Sequence, residues 1–591
     1  MSDYRAPLKE MQFLVEQAVA ATGVHSIEEL AEFDMETVAA VLEAAGEFAH
    51  RGLAPLNPIG DAQGCGFADG KVTTPEGWKA AYDQFCQDGW MGLALPTDFG
   101  GQQLPKFIAQ PVNEMWHSAN LSFVMFHALN QGCSEILLRL GTQEQQDRYI
   151  AKLISGEWTA AMALTEPAAG SDLGELKTKA TPLADGRYLI KGQKIYISYG
   201  EHDLSENKIH FVLARTPNAP EGSRGISLFA VPTYRINGDG SLGEFNDVLC
   251  TGIEHKTGLH GSPTCSISYG DNEACYGELI GSENRGLAAM FILMNEARLA
   301  VGLQGVALGE LAYQRASEYA RERTQGAHYQ TNARRVPIIQ HPDVSRLLLS
   351  IKSQVFGQRA LGYLIAALVD KSEHCREASE RDELEARIAL LTPIFKAFAT
   401  EQCNWMAGAA IQVFGGMGFV EETGVAQIMR DARITTIYEG TTGIQAKDLL
   451  FRKMLADSGS ALESLLSDID QTAAKLKATE GLTSLGGNLS GATYALRAIV
   501  KQAITSQNLL QLNAGAVAML EALGFLTSAW QLGESALRAQ AELEQQRDAK
   551  FHRNIVALAK FHDAHCLPQL HARLSTFSQA AAGIAEYSFD E

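Results

Sequence analysis

Two kinds of apolar periodicity are kept apart along this chain, and their separation limits the folds open to it. From about 161 to 285, short runs rich in β-branched and aromatic residues (RYLIKGQKIYIS, KIHFVLART, GISLFAVPTY, CSISYGD) alternate with Gly, Asn, Asp and Pro. That texture predicts an antiparallel sheet or barrel. Before it, METVAAVLEAAGEFAHRGL and SEILLRLGTQEQQDRYIAKLISG carry apolar residues at helical spacing, with LALPTDFGGQQLP as a loop between helices. After it come long helical runs, GLAAMFILMNEARLAVGLQGVALGELAYQRASEYARERTQG the longest, and a further helical stretch follows the break ADSGSALESLL. The order is helices, sheet, helices, helices, which is α+β by segregation and not alternating βαβ. The predicted division is an N-terminal helical domain (1–160), a central β-barrel-like domain (161–285), a helical bundle (286–455) and an extra C-terminal helical domain (456–591).

At 591 residues, 46% hydrophobic and 20% charged, the chain has a globular balance and can bury a bulky cofactor. No run of about 18 apolar residues predicts an integral membrane segment. The N-terminus lacks a signal-peptide layout, and Leu8, Met11, Leu14 and Val15 read as a docking helix. Nine scattered cysteines without a CxxC pair point away from disulfides and structural zinc, and toward a reducing cytoplasm. His562 and His565 read as surface histidines of a helix, so no metal is expected. A net charge of −20 argues against nucleic-acid binding.

Three segments carry candidate chemistry. AMALTEPAAGSDLGELKTKA offers hydroxyls and backbone N–H groups in a tight loop, suited to a pyrophosphate or a flavin edge; taken alone, a Gly/Pro turn feeding a strand is the favoured reading. IQVFGGMGFV has paired glycines that let a backbone approach a ligand, or simply end a helix. RDARITTIYEGTTGIQAKDLL places Glu439 in a loop beside an aromatic residue. An apolar setting would make it a better base; the plain alternative is an acidic cap before the next helix.

TEPAAGSD, GGMGF and RDARITTIYEGTTGIQ, in that order and at these distances, resemble the acyl-CoA dehydrogenase family over residues from about 80 to 455. Glu439 lies 27 positions after Gln412, the family's spacing between its dinucleotide-contacting Gln and its catalytic Glu. YISYGEHDLSENKIHFVLAR, GIEHKTGLHGSPTC and MNEARLAVGLQG are similar to a long bacterial subfamily. That group includes 3-methylthiopropionyl-CoA and several fatty acyl-CoA dehydrogenases, with a start like YRAPLKEMQF and a C-terminal helical extension.

The resemblance implies an FAD enzyme that oxidises a saturated acyl-CoA to a trans-2-enoyl-CoA in fatty acid β-oxidation. Electrons would pass to electron-transfer flavoprotein. Glu439 would take the α-proton while a hydride leaves the β-carbon for the flavin. Met162, Leu164, Thr165, Ser171, Tyr196 and Ser198 would meet the flavin-ring side. Arg323, Gln412, Gly415, Gly416 and Thr441 would hold the adenine-diphosphate half of an FAD shared across a homodimer. Ser171, Asn295, Arg298 and Gly440 would contact substrate. Gly326, Pro342 (after His341) and Gly443 depart from residues common in relatives, which implies an adenine side built differently.

The rivals are an acyl-CoA oxidase and a non-catalytic DNA-binding relative. Residues 461–591 hold 10 Lys plus Arg against 13 Asp plus Glu, a net of −3, whereas a DNA-binding extension should be basic. Some relatives carry the base on the long helix, immediately before the arginine matching Arg298. That position is Ala297 here, and Glu296 lies about 100° around the helix from it.

Overall fold

The computed structural model describes residues 4–331 and 333–589, with the side chains of Leu293 and Asn295 outside the description. Its strands are β1 Gly66–Ala68, β2 Lys71–Thr73, β3 Trp158–Ala163, β4 Lys179–Pro182, β5 Tyr188–Ser198, β6 Asn207–Ala214, β7 Ser227–Pro232, β8 Tyr234–Ile236, β9 Leu242–Phe245, β10 Val248–Ile253, β11 Thr264–Tyr269 and β12 Tyr276–Ile280. Its helices begin with α1 Leu8–Thr22, α2 Met35–Phe48, α3 Asn57–Gln63, α4 Trp78–Gln87, α5 Lys106–Leu140, α6 Gln143–Ser155, α7 Gly286–Glu322 and α8 Pro342–His374. They continue with α9 Ala378–Phe414, α10 Val425–Ala432, α11 Thr442–Lys447, α12 Ser460–Ala478, α13 Thr483–Thr505, α14 Leu509–Glu544, α15 Ala549–His565 and α16 Gln569–Ser578. Contacts group the chain into two compact units that cut across chain order: Glu47–Pro105 with Ala119–Ala300, and Met1–Gly46, Lys106–Ser118 and Val301–Glu591.

The first unit is built on one eight-stranded sheet, ordered β10-β11-β5-β12-β7-β6-β3 with β4 also on β5. All its pairings are antiparallel except β3 with β6. β6 and β7 are buried at every residue, so both faces of the sheet are covered there. One face packs with α6, through Tyr149, Ile150 and Leu153, around Trp158 and Phe211. The helical side of this unit is knit by aromatic edges: Phe123 and Phe126 lie 5.3 Å apart, and Phe126 lies 5.6 Å from Tyr199 at the end of the sheet.

The second unit is helical. Of the residues whose spacing predicts a docking helix, α1 buries Met11, Leu14 and Val15 and half-buries Leu8; it also buries Phe13 and packs on α8. The C-terminal helices close onto the bundle: α14 packs on α8, α9 and α11. A side chain at Gly524 would lie 2.2 Å from the Phe398 ring, so glycine is what admits this close approach. Among the described residues α14 is long and apolar enough to cross a membrane, yet 61% of its most apolar window is buried inside the fold. In the middle of α8, Arg359 is fully buried and donates to Glu114 at 2.8 Å and Glu310 at 3.0 Å, with Glu10 of α1 as a further partner. Lys352 adds bonds to Glu10 and Glu310.

One reading needs correction. His562 is not on the helix surface; it is 1% exposed, and burial lowers its pKa to about 3, while His565 is exposed. α15 turns its His562 face onto α14, and an apolar site keeps the imidazole neutral.

Candidate active site

In the sheet unit, the ring-side residues cluster where β3 ends. Pro167 lacks an N–H and cannot continue the strand, so the chain turns out of the sheet after Glu166. Two neighbouring carbonyls are tied inward to β5: Lys194 Nζ donates to Leu164 O at 2.9 Å, and Ile195 N–H to Thr165 O at 3.0 Å. A trans peptide points its N–H opposite its carbonyl. Tying Leu164 O therefore turns the Thr165 N–H away from β5, near its own half-buried hydroxyl. Lys194 also meets Glu166 at 2.8 Å, and Glu166 accepts from Lys177 N–H (2.6 Å), Thr178 N–H (3.0 Å) and the Thr178 hydroxyl (2.6 Å). Burial would raise the Glu166 pKa, but the ammonium and these donors outweigh it and hold the carboxyl below its ordinary value. For Lys194 burial wins over the Glu166 charge, and its pKa falls to about 8.

The same strand shapes the outward face. Along β5–β11, Ile195 and Tyr196 stand opposite the single Ser266, a bulge that reverses the inward parity from Lys194 to Ile197. Tyr196 takes the left-handed φ of 62° and is 60% exposed. Ser198, two residues on, is half-buried. Met162 is half-buried on β3 and Ser171 is exposed in the loop beyond. Arg298 is buried on α7; the Asn295 side chain lies outside the described residues.

In the helical unit, Glu439 sits between a short turn, Arg433–Thr436, and α11. Its φ is 54° and that of Gly440 is 90°, both left-handed. The cap of α11 is Thr441, whose Oγ1 accepts from Ile444 N–H at 3.3 Å, so Glu439 is not spent as a helix cap. The loop is gripped from two helices. Lys396 of α9 donates to Gly440 O at 2.8 Å, Gln445 of α11 donates to Glu439 O at 3.1 Å, and Thr442 Oγ1 donates to Glu401 at 2.6 Å. Tyr438 donates to Gln304, and burial, then the Glu439 charge, raises its phenol pKa.

The same unit brings the other expected residues to one end of two long helices. Tyr319 near the end of α7 stacks on Phe414 at the end of α9, ring centroids 4.2 Å apart. This sets Arg323, just past α7, beside the end of α9, where Gln412 is exposed. Gly415 caps α9 with φ 63°, and among the described residues no atom beyond the chain neighbours lies within 4 Å of a Cβ built on Gly415 or Gly416. Gly326 has a reason of its own. Its φ is 67°, in a turn where Arg335 N–H reaches its carbonyl at 2.7 Å, a conformation strained for any residue with a bulky side chain.

Sequence reasoning missed Glu166, Lys194, Lys396 and Gln445 as parts of the site. A signal existed for the lysines: Lys194 occupies an inward position of an alternating strand, and Lys396 stands alone in the apolar run TPIFKAFA. The site suits FAD. An exposed aromatic ring, two hydroxyls and an outward N–H fit a flavin ring, and the open space at Gly415 and Gly416 fits a backbone approached by a diphosphate.

Comparison with known proteins follows the same layout. The N-terminal, middle and C-terminal domain families of acyl-CoA dehydrogenases match residues 35–157, 161–271 and 284–455. An acetyl-CoA dehydrogenase C-terminal-like family matches 465–587. The chain is 43% identical over 567 residues to the 3-methylmercaptopropionyl-CoA dehydrogenase of Ruegeria pomeroyi, covering 94% of this chain and 95% of that one. The chain belongs to the acyl-CoA dehydrogenase family. Membership makes it an FAD-dependent oxidoreductase of acyl-CoA thioesters. It is also 33% identical to a broad-specificity linear acyl-CoA dehydrogenase of Mycobacterium tuberculosis, with 96% of each chain covered. The fold matches a Bacillus anthracis acyl-CoA dehydrogenase complexed with FAD at a TM-score of 0.69 and 19% identity, covering 98% of this chain and 89% of that one.

Proposed function

We propose that this acyl-CoA dehydrogenase oxidises the Cα–Cβ bond of a saturated acyl-CoA to a trans-2-enoyl-CoA, with Glu439 as the base. The observation that carries this is the Glu439 loop itself: a carboxylate on a left-handed backbone, not used as a cap and held by buried donors. Bound FAD supplies the hydride acceptor. Glu439 removes the α-proton, and its backbone N–H polarises the thioester oxygen as enolate character grows. Met162, Leu164, Thr165, Ser171, Tyr196 and Ser198 hold the flavin-ring side. Arg323, Gln412, Gly415, Gly416 and Thr441 hold the adenine-diphosphate half of an FAD shared by two chains of a homodimer. Ser171, Asn295, Arg298 and Gly440 contact the acyl-CoA. We assign these roles to the four-domain division 1–160, 161–285, 286–455 and 456–591, in a cytoplasmic enzyme of fatty acid β-oxidation that passes electrons to electron-transfer flavoprotein.

The 43% identity to the Ruegeria enzyme favours a second reading of substrate, 3-methylmercaptopropionyl-CoA. A panel of this thioester and linear acyl-CoAs of short, medium and long chain, with electron-transfer flavoprotein as acceptor, decides between them by kcat/KM. Failure of every thioester to bleach the bound FAD anaerobically would refute the function. Rapid reoxidation of the reduced enzyme by oxygen would make it an oxidase instead. Sedimentation of the FAD-loaded protein as a monomer would refute the shared cofactor.

A further inference from the structure

We infer that Lys396 and Gln445 are positioning residues that hold Glu439 at its working reach; this rests on the reading of Glu439 as the base. A non-glycine residue in the left-handed region persists only where its surroundings over-determine it. Here two successive carbonyls are gripped separately. The Glu439 carbonyl accepts from the Gln445 amide at 3.1 Å, and the Gly440 carbonyl accepts from the Lys396 ammonium at 2.8 Å. The grips come from different elements, α11 and α9, so together they fix the peptide planes on both sides of Gly440. The Glu439 Cα, and hence the reach of its carboxylate, follows from the first of those planes.

Both donors are fully buried and cannot swing into solvent. Lys396 lies among Phe395, Ala397 and Phe398 on a stretch of α9 buried at every position from Leu390 to Thr400, where packing alone would call for an apolar side chain. Gln445 spends one amide hydrogen on Glu439, while its Oε1 is buried with no hydrogen-bond partner among the described residues. An amide with an orphaned oxygen is a poor choice for stability, since an apolar residue of similar shape would leave nothing unsatisfied. Its placement is explained by the one bond it does make. Space is tight as well: a side chain on Gly440 would come within 2.6 Å of the Gln445 amide nitrogen. α14 of the C-terminal extension packs against α11 and α9, the two helices that carry the donors.

Neither residue need touch substrate. A base must lie within hydrogen-bond reach of its proton, and a displacement of about 1 Å can slow a step by roughly 10²-fold. The test uses the full-length FAD enzyme and whichever of butyryl-CoA and 3-methylmercaptopropionyl-CoA reduces the parent faster. Lys396→Met, Gln445→Met and Glu439→Gln are compared by anaerobic single-turnover bleaching, with protiated and α-dideuterated thioester. FAD content, melting temperature and the affinity of a non-reactive thioether analogue are measured alongside. The expected result is a fall in flavin reduction of about 10²-fold for Lys396→Met and about 10-fold for Gln445→Met. The deuterium effect should rise in both, with thioether affinity and FAD content unchanged, a pattern that loss of structure does not produce. If Lys396→Met does not fold, Gln445→Met alone decides the matter by the same measurements. Both variants folded and reducing at the parent rate, while Glu439→Gln is inert, would overturn the positioning role and leave the base in place. Glu439→Gln reducing at the parent rate would instead overturn the base and the inference with it.

Discussion

The ring-side loop and the acid loop use the same device to different ends. In each, a buried lysine grips a backbone carbonyl: Lys194 on Leu164 at 2.9 Å, Lys396 on Gly440 at 2.8 Å. At the ring side the grip belongs to a sheet. Ile195 adds a backbone bond to the next carbonyl, and Glu166 gathers Lys194, Lys177 N–H and both donors of Thr178. The loop there is an extension of regular structure, and its energetics are those of a buried ion pair. The acid loop is anchored by side chains from two helices around a residue at φ 54°. On the proposed roles, the flavin side rests on an extension of the sheet, whereas the base rests on a loop held by side chains from two helices.

That contrast sets out what should happen when each side is broken. The largest effect is on the acid side: Glu439→Gln should lower the rate of flavin reduction by about 10⁴-fold with FAD retained. Glu296→Gln, which changes the carboxylate next to Ala297 on α7, should keep most activity. Equal loss in both, with normal melting, would move the base off the loop. At the ring side the effect should appear as stability. Lys194→Met leaves Glu166 without its ammonium in a buried site and should cost about 3 kcal/mol, read by denaturant unfolding, with loss of bound FAD. A variant as stable as the parent but slow in turnover would erase the contrast.

Acid should weaken the sheet unit. Burial lowers the pKa of both His127 and His210 to about 4. His210 donates from Nε2 to Gly200 O at 2.8 Å and accepts at Nδ1 from the Tyr269 hydroxyl at 2.7 Å, which holds it neutral. The unfolded chain takes up these protons near pH 6.5 and the folded one only near 4, so the unfolded state is the more protonated between them. The stability due to neutral His210 is therefore complete above about 6.5 and declines as pH falls through about 4. The melting temperature should drop across that window, and His210→Gln should flatten the drop by roughly 2 °C. The smallest effect is expected at Gly416→Ala, which adds a methyl with no atom of another described residue, chain neighbours aside, within 4 Å. Melting of the apoprotein should not change, while FAD binding weakens by about tenfold; unchanged FAD affinity would remove Gly416 from the cofactor site.

Much of this molecule is legible in the chain. The β-branched and aromatic runs between 161 and 285 and the helical spacing elsewhere reflect which residues must leave water, and β3–β12 and the long helices α7, α8 and α9 follow them. The one parallel pairing, β3 with β6, does not follow, because alternation reports burial and not strand direction. TEPAAGSD, GGMGF and YEGTTG marked their loops because Gly, Pro and Thr dictate local backbone geometry, and Thr441 and Gly415 do cap α11 and α9.

Other features depend on which segments end up beside one another. His562 reads as a surface residue on its own helix and is buried only because α14 covers it. Tyr196 faces outward because a bulge against β11 reverses the strand's parity, and that needs the partner strand. The sequence alone therefore determined the elements, their order and the residues whose backbones must turn. Only the tertiary structure decided which acceptors meet Lys194 and Lys396 inside. A charge is tolerated in the core only where the fold brings a carboxylate or a carbonyl to meet it, and those acceptors arrive from segments far away along the chain.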